Sequence, residues 1–423
     1  MADVNDMIVN YQTADLLASI VGQATGTVVI SPVTASEFVS VAQLGLKTGY
    51  DPLSTAISQV LAKTIFSVRP YTAKFRGLRM DAQRWGNHVR KVNTIDKPFL
   101  DAERYALEDG AHSPDMFDVH KPETIQTNFY GVVPFDDCVT VYRDQLDVAF
   151  SSEEEFARFV AMIMQNMADK LEQARENLSR GVISNLIKGV YLQAADGIAP
   201  ERVIHLVTEY NNENGTALTA DDVLLPANFP SFARWMFGYL KTVSDRMTNR
   251  SALYHQNFVL DDEPKYIMRH TPVERQKCYL YSPLLNNISA NVLSTVFYQR
   301  YLQLMDHEDV DFWQNITDPM TIDYAATYTD DEGQIVSEDE DYSAQLSNIF
   351  GVIFDEEAAG YTQVGEWTAT SPFEAAGGYT NYWYHLNFRY FNDFTENVVI
   401  LLLDEATEEG GGADDGGGGS EQN

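Results

Sequence analysis

From Ser151 to about Lys188 the chain repeats apolar residues in steps of three and four: Phe156, Phe159, Val160, Ile163, Met164, Met167, Leu171, Ala174, Leu178, Val182 and Leu186. Those steps bring every member of the set back to one face of a helix, a stripe held over about ten turns. Two overlapping capping boxes, Ser151 with Glu154 and Ser152 with Glu155, mark the start. Three successive glutamates then sit at the positive end of the helix dipole. Gly189 is the expected stop. At about 1.5 Å per residue the predicted rod is roughly 55 Å long, well beyond the mean globular helix. A compact enzyme rarely needs one such rod, whereas a flat subunit that tiles a surface does.

The rod follows two charge blocks. In residues 69–97 eight cations, Arg69, Lys74, Arg76, Arg79, Arg84, Arg90, Lys91 and Lys97, stand against Asp81 and Asp96 alone, a net +6. Residues 98–119 reverse the sign: Asp101, Glu103, Glu108, Asp109, Asp115 and Asp118 face only Arg104, a net −5. Neither block carries an apolar stripe, so together they predict a long two-stranded excursion that returns near Phe129–Val133. Its charges read in two ways: the two strands neutralise each other in solvent, or the arm lies on a neighbouring subunit, basic face to acidic face. Excursions this long in compact proteins are usually functional or disordered.

The whole chain carries a net charge of −33, with 62 acidic and 29 basic side chains. That balance argues against a general nucleic-acid-binding surface, because phosphates are repelled. A content of 44% hydrophobic and 12% aromatic residues in 423 is that of a folded protein with a substantial core. Cys138 and Cys278 are the only cysteines, which gives no disulfide framework and no metal knuckle and fits a reducing compartment. Asp3, Asp6 and Asp15 interrupt the N-terminal apolar residues, so no secretory leader is expected, and Val398–Leu403 is far too short to span a membrane.

Around these features the pattern predicts short helices at Asn5–Val21 and Ser36–Leu46, and a third opened by Asp51-Pro52. It predicts a strand at Val203–Val207, a polar turn at Asn211–Gly215, and helices at Phe229–Thr248 and Asn291–Met305. Acidic clusters at Asp330–Glu332 and Glu338–Asp341 flank Gln334–Val336 as an exposed, solvated hairpin or loop. Tyr382, Tyr384, Leu386, Phe388 and Tyr390 alternate with Asn381, Trp383, His385, Asn387 and Arg389, the period of a half-buried strand. After a turn at Asn392-Asp393, Val398–Leu403 reads as a strand buried on both faces. The Gly-rich, acidic residues 404–423 predict disorder.

No catalytic motif emerges. Gly45-Leu46-Lys47-Thr48 lacks the spacing of a phosphate loop, and there is no HExxH helix and no G-x-S-x-G elbow. Asp306, His307, Glu308 and Asp311 have no second histidine in register and read as a solvated helix end, and His385 reads as a packing or hydrogen-bonded residue. Tyr382, Trp383 and Tyr384 suit a sheet core or a subunit seam better than sugar stacking. No metal or cofactor is expected.

The order of these parts resembles the major capsid proteins of tailed bacteriophages, the Hong Kong 97-type fold. Ser54–Phe75, Asn128–Val148 and Tyr379–Leu403 are similar to its small podovirus branch. The likeness covers roughly 36–190 and 375–404 and is weak over 190–375. It implies an α+β fold with an N-terminal helical arm (1–69), an extended two-stranded loop (70–134) and a peripheral domain with a spine helix (135–189). An axial domain (190–375), return strands (376–404) and a Gly/acidic tail (405–423) complete it.

The implied function is structural and non-catalytic: self-assembly into an icosahedral head around double-stranded DNA, the acidic chain holding that DNA without specific binding. The implied partners are copies of itself in hexamers and pentamers, with scaffold, portal and decoration proteins, and no membrane. Assembly would take place in the host bacterial cytoplasm. Arg76, Arg79, Arg84, Arg90 and Lys91 are the expected contact cations, with Asp101, Glu103, Glu108 and Asp109 as acceptors on a neighbour. Two other readings stay open: an encapsulin-like nanocompartment shell, and an acidic glycan-active hydrolase with an unseen carboxylate pair.

Overall fold

The computed structural model describes residues 11–32, 34–49, 52, 53, 56, 78, 89–96, 121–129, 132–145, 153–260, 263–291, 307–339 and 345–405. In chain order the elements begin with helices α1 (Tyr11–Thr25) and α2 (Ala35–Lys47). Strands β1 (Val89–Thr94), β2 (Thr124–Phe129) and β3 (Val132–Tyr142) lead into the long helix α3 (Glu153–Ala195). Strand β4 (Val203–His205) and helices α4 (Leu206–Asn214) and α5 (Phe229–Met247) follow. Then come β5 (Phe258–Leu260), β6 (Glu263–Lys265), β7 (Gln276–Tyr281), helix α6 (Ser282–Asn291) and β8 (Glu308–Val310). The chain finishes with β9 (Thr327–Thr329), β10 (Ile335–Ser337), β11 (Ile349–Asp355), β12 (Ala359–Thr370), β13 (Tyr379–Asn392) and β14 (Val398–Leu402). Ladders are antiparallel except β4–β14 and β7–β8, and the class is α+β.

The chain divides into two compact units. The first comprises Met1–Thr94, Lys121–Ile183 and Ala359–Asp393; the second comprises Ile95–His120, Ser184–Ala358 and Phe394–Asn423. In the first unit Thr34 closes a capping box with Glu37 at the start of α2, and Leu17, Ile20, Val21 and Phe38 are buried. Its sheet has the order β12-β13-β3. Leu171 and Ala174 of α3 line a recess on that sheet with Phe135, Tyr384 and Leu386, so at this turn the predicted stripe faces the aromatic strand. Lys170 Nζ bonds both oxygens of Asp137 at 2.8 and 3.0 Å, and an Arg175 Nη2 donates to Gln363 Oε1 at 2.9 Å. The helix is buried beyond one stripe here: Arg180 Nη2 pairs with Glu176 Oε1 at 2.8 Å, and both side chains are 9% exposed.

In the second unit the five-stranded sheet β4-β14-β11-β7-β8 is covered by α5, whose Phe232, Met236, Leu240 and Val243 join Leu280, Ile353, Val399 and Leu401 in one core. Val398–Leu402 is buried throughout, as its continuous apolar run requires.

Several expectations change. The long helix does not stop at Gly189 but runs to Ala195. A Cβ built on Gly189 would lie 2.7 Å from Phe394 Cζ and 3.2 Å from Tyr328 Cβ, so this glycine permits close packing. The stop is Gly197, at φ 82, with Gly197 N–H donating to Ala194 O (3.0 Å) and Ile198 N–H to Gln193 O (2.7 Å). That pair of bonds is a Schellman motif.

Asn211–Gly215 is the last turn of helix α4, ended by Gly215 at φ 64. The strand expected over Val203–Val207 ends at His205, where that helix begins. Glu308 opens a strand and does not end a helix. Tyr390 is 39% exposed while Arg389 is buried, so the alternation of covered faces ends at Phe388. Ser151, Ser152 and residues 98–119, 292–306 and 406–423 lie outside the described residues, as does most of the helix expected after Asp51-Pro52.

Candidate assembly surfaces

Of the predicted contact residues, Arg90 and Lys91 are described; Arg76, Arg79, Arg84, Asp101, Glu103, Glu108 and Asp109 lie outside the described residues. Strands β1 and β2 form a two-stranded antiparallel ladder, with Arg90 opposite Asn128 and Lys91 opposite Thr127. Over these six pairs the cationic strand therefore meets an uncharged one, and the ladder does not neutralise it. Arg90 is exposed. Lys91 turns inward: its Nζ donates to Asp393 Oδ2 at 2.7 Å, a carboxylate whose side chain is 1% exposed.

A second surface is the outer face of the β12-β13-β3 sheet. Register places Trp367 opposite His385, and Trp383 opposite Cys138 and Ala369, on the face turned away from Leu171 and Ala174. Trp367 and Trp383 are 55% and 41% exposed. The His385 ring stacks on Trp367 at 3.7 Å between centroids and 20° between planes, and its Nδ1 lies 2.5 Å from Asp136 Oδ1. The histidine is thus a hydrogen-bonded packing residue that holds a tryptophan in place. Sequence alternation located this half-buried strand, but nothing in it paired His385 with Trp367. Burial pushes the thiol of neighbouring Cys138 upward, with Asp137 adding to the shift and Lys170 opposing it.

The second unit contains a buried polar network where α3 ends. Lys188 is fully buried; its Nζ donates to Tyr324 O and pairs with Glu338 Oε2, both at 2.7 Å. Asn185 exchanges two 2.9 Å bonds with the backbone of Thr327, and Gln193 donates to Thr329 O at 2.6 Å. These side chains fasten the β9–β10 hairpin to the helix through its backbone. Part of the acidic loop expected to be solvated is therefore structural: Glu338 is the counter-charge of a buried lysine. Tyr328 OH donates to Asp196 at 3.0 Å, and burial together with that bond holds its proton to about 12.

Arg202, also fully buried, donates to Gln193 Oε1 (2.9 Å) and Ile198 O (3.0 Å), oxygens of the helix end. Burial lowers its pKa to about 9, so it stays charged at neutral pH. His255 has Asn397 Oδ1 at 3.1 Å and Ile267 O on its two nitrogens, yet burial outweighs them and pulls its pKa to about 4. Lys188 and Arg202 were invisible in the sequence, where a cation reads as solvent-facing. Among the described residues, no helix is long and apolar enough to cross a membrane.

The family model described as Phi29-like phage major capsid protein matches residues 17–402, including the central segment that the local resemblance covers weakly. A search of curated proteins finds no match. Among solved structures, a chain from the capsid of Staphylococcus phage Andhra is 10% identical, covering 79% of this chain and 85% of its own, with a TM-score of 0.49. A chain from a structure of the head fiber and inner core protein of native bacteriophage P68 gives 9% identity, 80% and 86% coverage and a TM-score of 0.49. One from the capsid of the cyanophage P-SCSP1u gives 14%, 79%, 89% and 0.40.

Proposed function

The chain belongs to the family of Phi29-like phage major capsid proteins, and from that premise we propose an icosahedral, Hong Kong 97-type shell of the small podovirus branch, closed around double-stranded DNA. As a member of that family it is a structural, non-enzymatic component of the virion that assembles with copies of itself into the head shell. The match over residues 17–402 is the observation that carries this, and it favours neither an enzyme-packaging compartment nor a glycan-active hydrolase.

The finer reading is our own. Copies form hexamers and pentamers in the host cytoplasm, with scaffold, portal and decoration proteins as further partners, and the net charge of −33 leaves the packaged DNA unbound. The domain scheme is an N-terminal arm (1–69), extended loop (70–134), peripheral domain with spine helix (135–189), axial domain (190–375), return strands (376–404) and tail (405–423). Arg76, Arg79, Arg84 and Arg90 contact Asp101, Glu103, Glu108 and Asp109 of a neighbour, while Lys91, expected among these cations, is held by Asp393 of its own chain. Two observations support a contact of this kind. Arg90 is exposed on a strand whose ladder partner offers no carboxylate, and two tryptophans stand open on the adjoining sheet, a composition typical of the centre of an interface. Reversing Arg84 and Arg90 to glutamate should block assembly and leave a folded subunit; normal shells from that variant would remove the arm assignment.

A further inference from the structure

The most exposed large apolar side chains among the described residues are Val28 and Ile30, at 98% and 85%. They lie between α1 and α2 in a run, Thr27-Val28-Val29-Ile30-Ser31, that is rich in β-branched residues. Burial alternates over Val28–Ser31: Val28 and Ile30 face solvent, while Val29 and Ser31 are half-buried. A period of two is the geometry of a strand. Yet residues 28–32 belong to no helix or ladder, and their backbone groups have no backbone hydrogen bond among the described residues.

The segment is also held at both ends. Gly26, at φ 69, turns the chain out of α1; Ser31 Oγ donates to Asp15 of that helix; and the Thr34 capping box follows. A fixed segment with exposed β-branched side chains and open backbone groups is a template for strand addition, with little ordering left to lose on binding.

We propose that residues 27–31 add as a β-strand to a sheet edge of a second copy of this chain. The proposal rests on the shell-forming role of the family, which makes another copy the surface this segment meets in every subunit. Charge points the same way. Residues 16–36 contain no charged side chain in a chain of net charge −33, so this stretch can approach an acidic neighbour without repulsion. Edges of the required kind exist: β12 and β3 are the outer strands of their sheet among the described residues.

Backbone amide exchange on the wild-type protein, as free subunits and as shells, tests this directly. Amides 28–31 should exchange fast in the subunit and at least about tenfold slower in the shell, a factor that corresponds to about 1.4 kcal/mol. Val28→Asp/Ile30→Asp, and separately Ile30→Pro, which removes the backbone donor, should leave the melting temperature of the subunit unchanged and cut shell yield by tenfold or more. Val28→Thr should assemble normally. Amides already protected in the free subunit, equal exchange in both states, or normal shells from the aspartate variant would each overturn strand addition and leave the shell reading intact. No shells from the wild-type chain under any assembly condition would overturn both.

Discussion

Gly181 and Gly189 lie eight residues apart in the long helix, and replacing each by alanine should move stability in opposite directions. At an unobstructed helix position the substitution gains about 0.8–1 kcal/mol, from the reduced backbone freedom of the unfolded chain. Gly181 is such a position: it is exposed, and a Cβ there meets nothing within 4 Å. At Gly189 the same Cβ falls 2.7 and 2.8 Å from Phe394 Cζ and Cε1 and 3.2 Å from Tyr328 Cβ. Carbon atoms pack at about 3.5–4.0 Å, so the ring must retreat by about 1 Å. Phe394 is 6% exposed and has little room to move. Overpacking of this kind costs about 1–3 kcal/mol, which outweighs the helix gain and leaves Gly189→Ala about 1 kcal/mol less stable.

Urea unfolding of unassembled subunits reads both variants as shifts in the midpoint at constant slope. Gly181→Ala should move the midpoint up and Gly189→Ala down. Adding Phe394→Leu to Gly189→Ala should recover part of the loss, a non-additivity expected of contacting residues. A Gly189→Ala protein as stable as Gly181→Ala would refute the close packing of the helix on Phe394, and with it the reason the helix passes through this glycine.

Three further perturbations follow from the same geometry. Lys188→Met should destabilise the subunit by about 3–5 kcal/mol by leaving Glu338 without its buried partner, and Lys188→Met/Glu338→Leu should recover most of it; equal losses in single and double variants would contradict the pairing. His255 carries a folded pKa of about 4 against about 6.5 unfolded, so the unfolded chain takes up the proton first on acidification. Its contribution is complete above pH 6.5 and is lost as pH falls to 4, by up to about 3 kcal/mol; His255→Gln should flatten the stability profile in that window. Trp367→Ala/Trp383→Ala should reduce assembly without lowering the subunit melting temperature by more than about 2 °C, because both rings are substantially exposed. Unchanged shell yield would show that this face is not a seam.

The parts legible in the sequence were those with a sustained local period. The stripe of the long helix and the alternation through Phe388 identified a rod and a strand, and Leu171, Tyr384 and Leu386 line one recess between them. What stayed hidden depends on distant partners. Glycine serves both to end a helix and to admit a neighbour, and only the ring of Phe394 beside Gly189 and the left-handed backbone of Gly197 tell the two apart. The short ladders of β4 and β8 gain their order from β14 and β7, so three-residue strands carry no pattern of their own. Lys188 and Arg202 follow the charge rule for surface residues and break it because the neighbouring loops supply carbonyls and a carboxylate. Charge blocks were visible at once, but the ladder shows that the strand opposite Arg90 and Lys91 is neutral, which no count of charges could reveal.

This subunit closes into a shell. Electron microscopy of the purified protein, scanned over concentration and salt with scaffold present where needed, tests it most directly. Closed particles of uniform diameter with this chain as the shell subunit are the predicted result; a discrete monomer or small oligomer under every condition would contradict it.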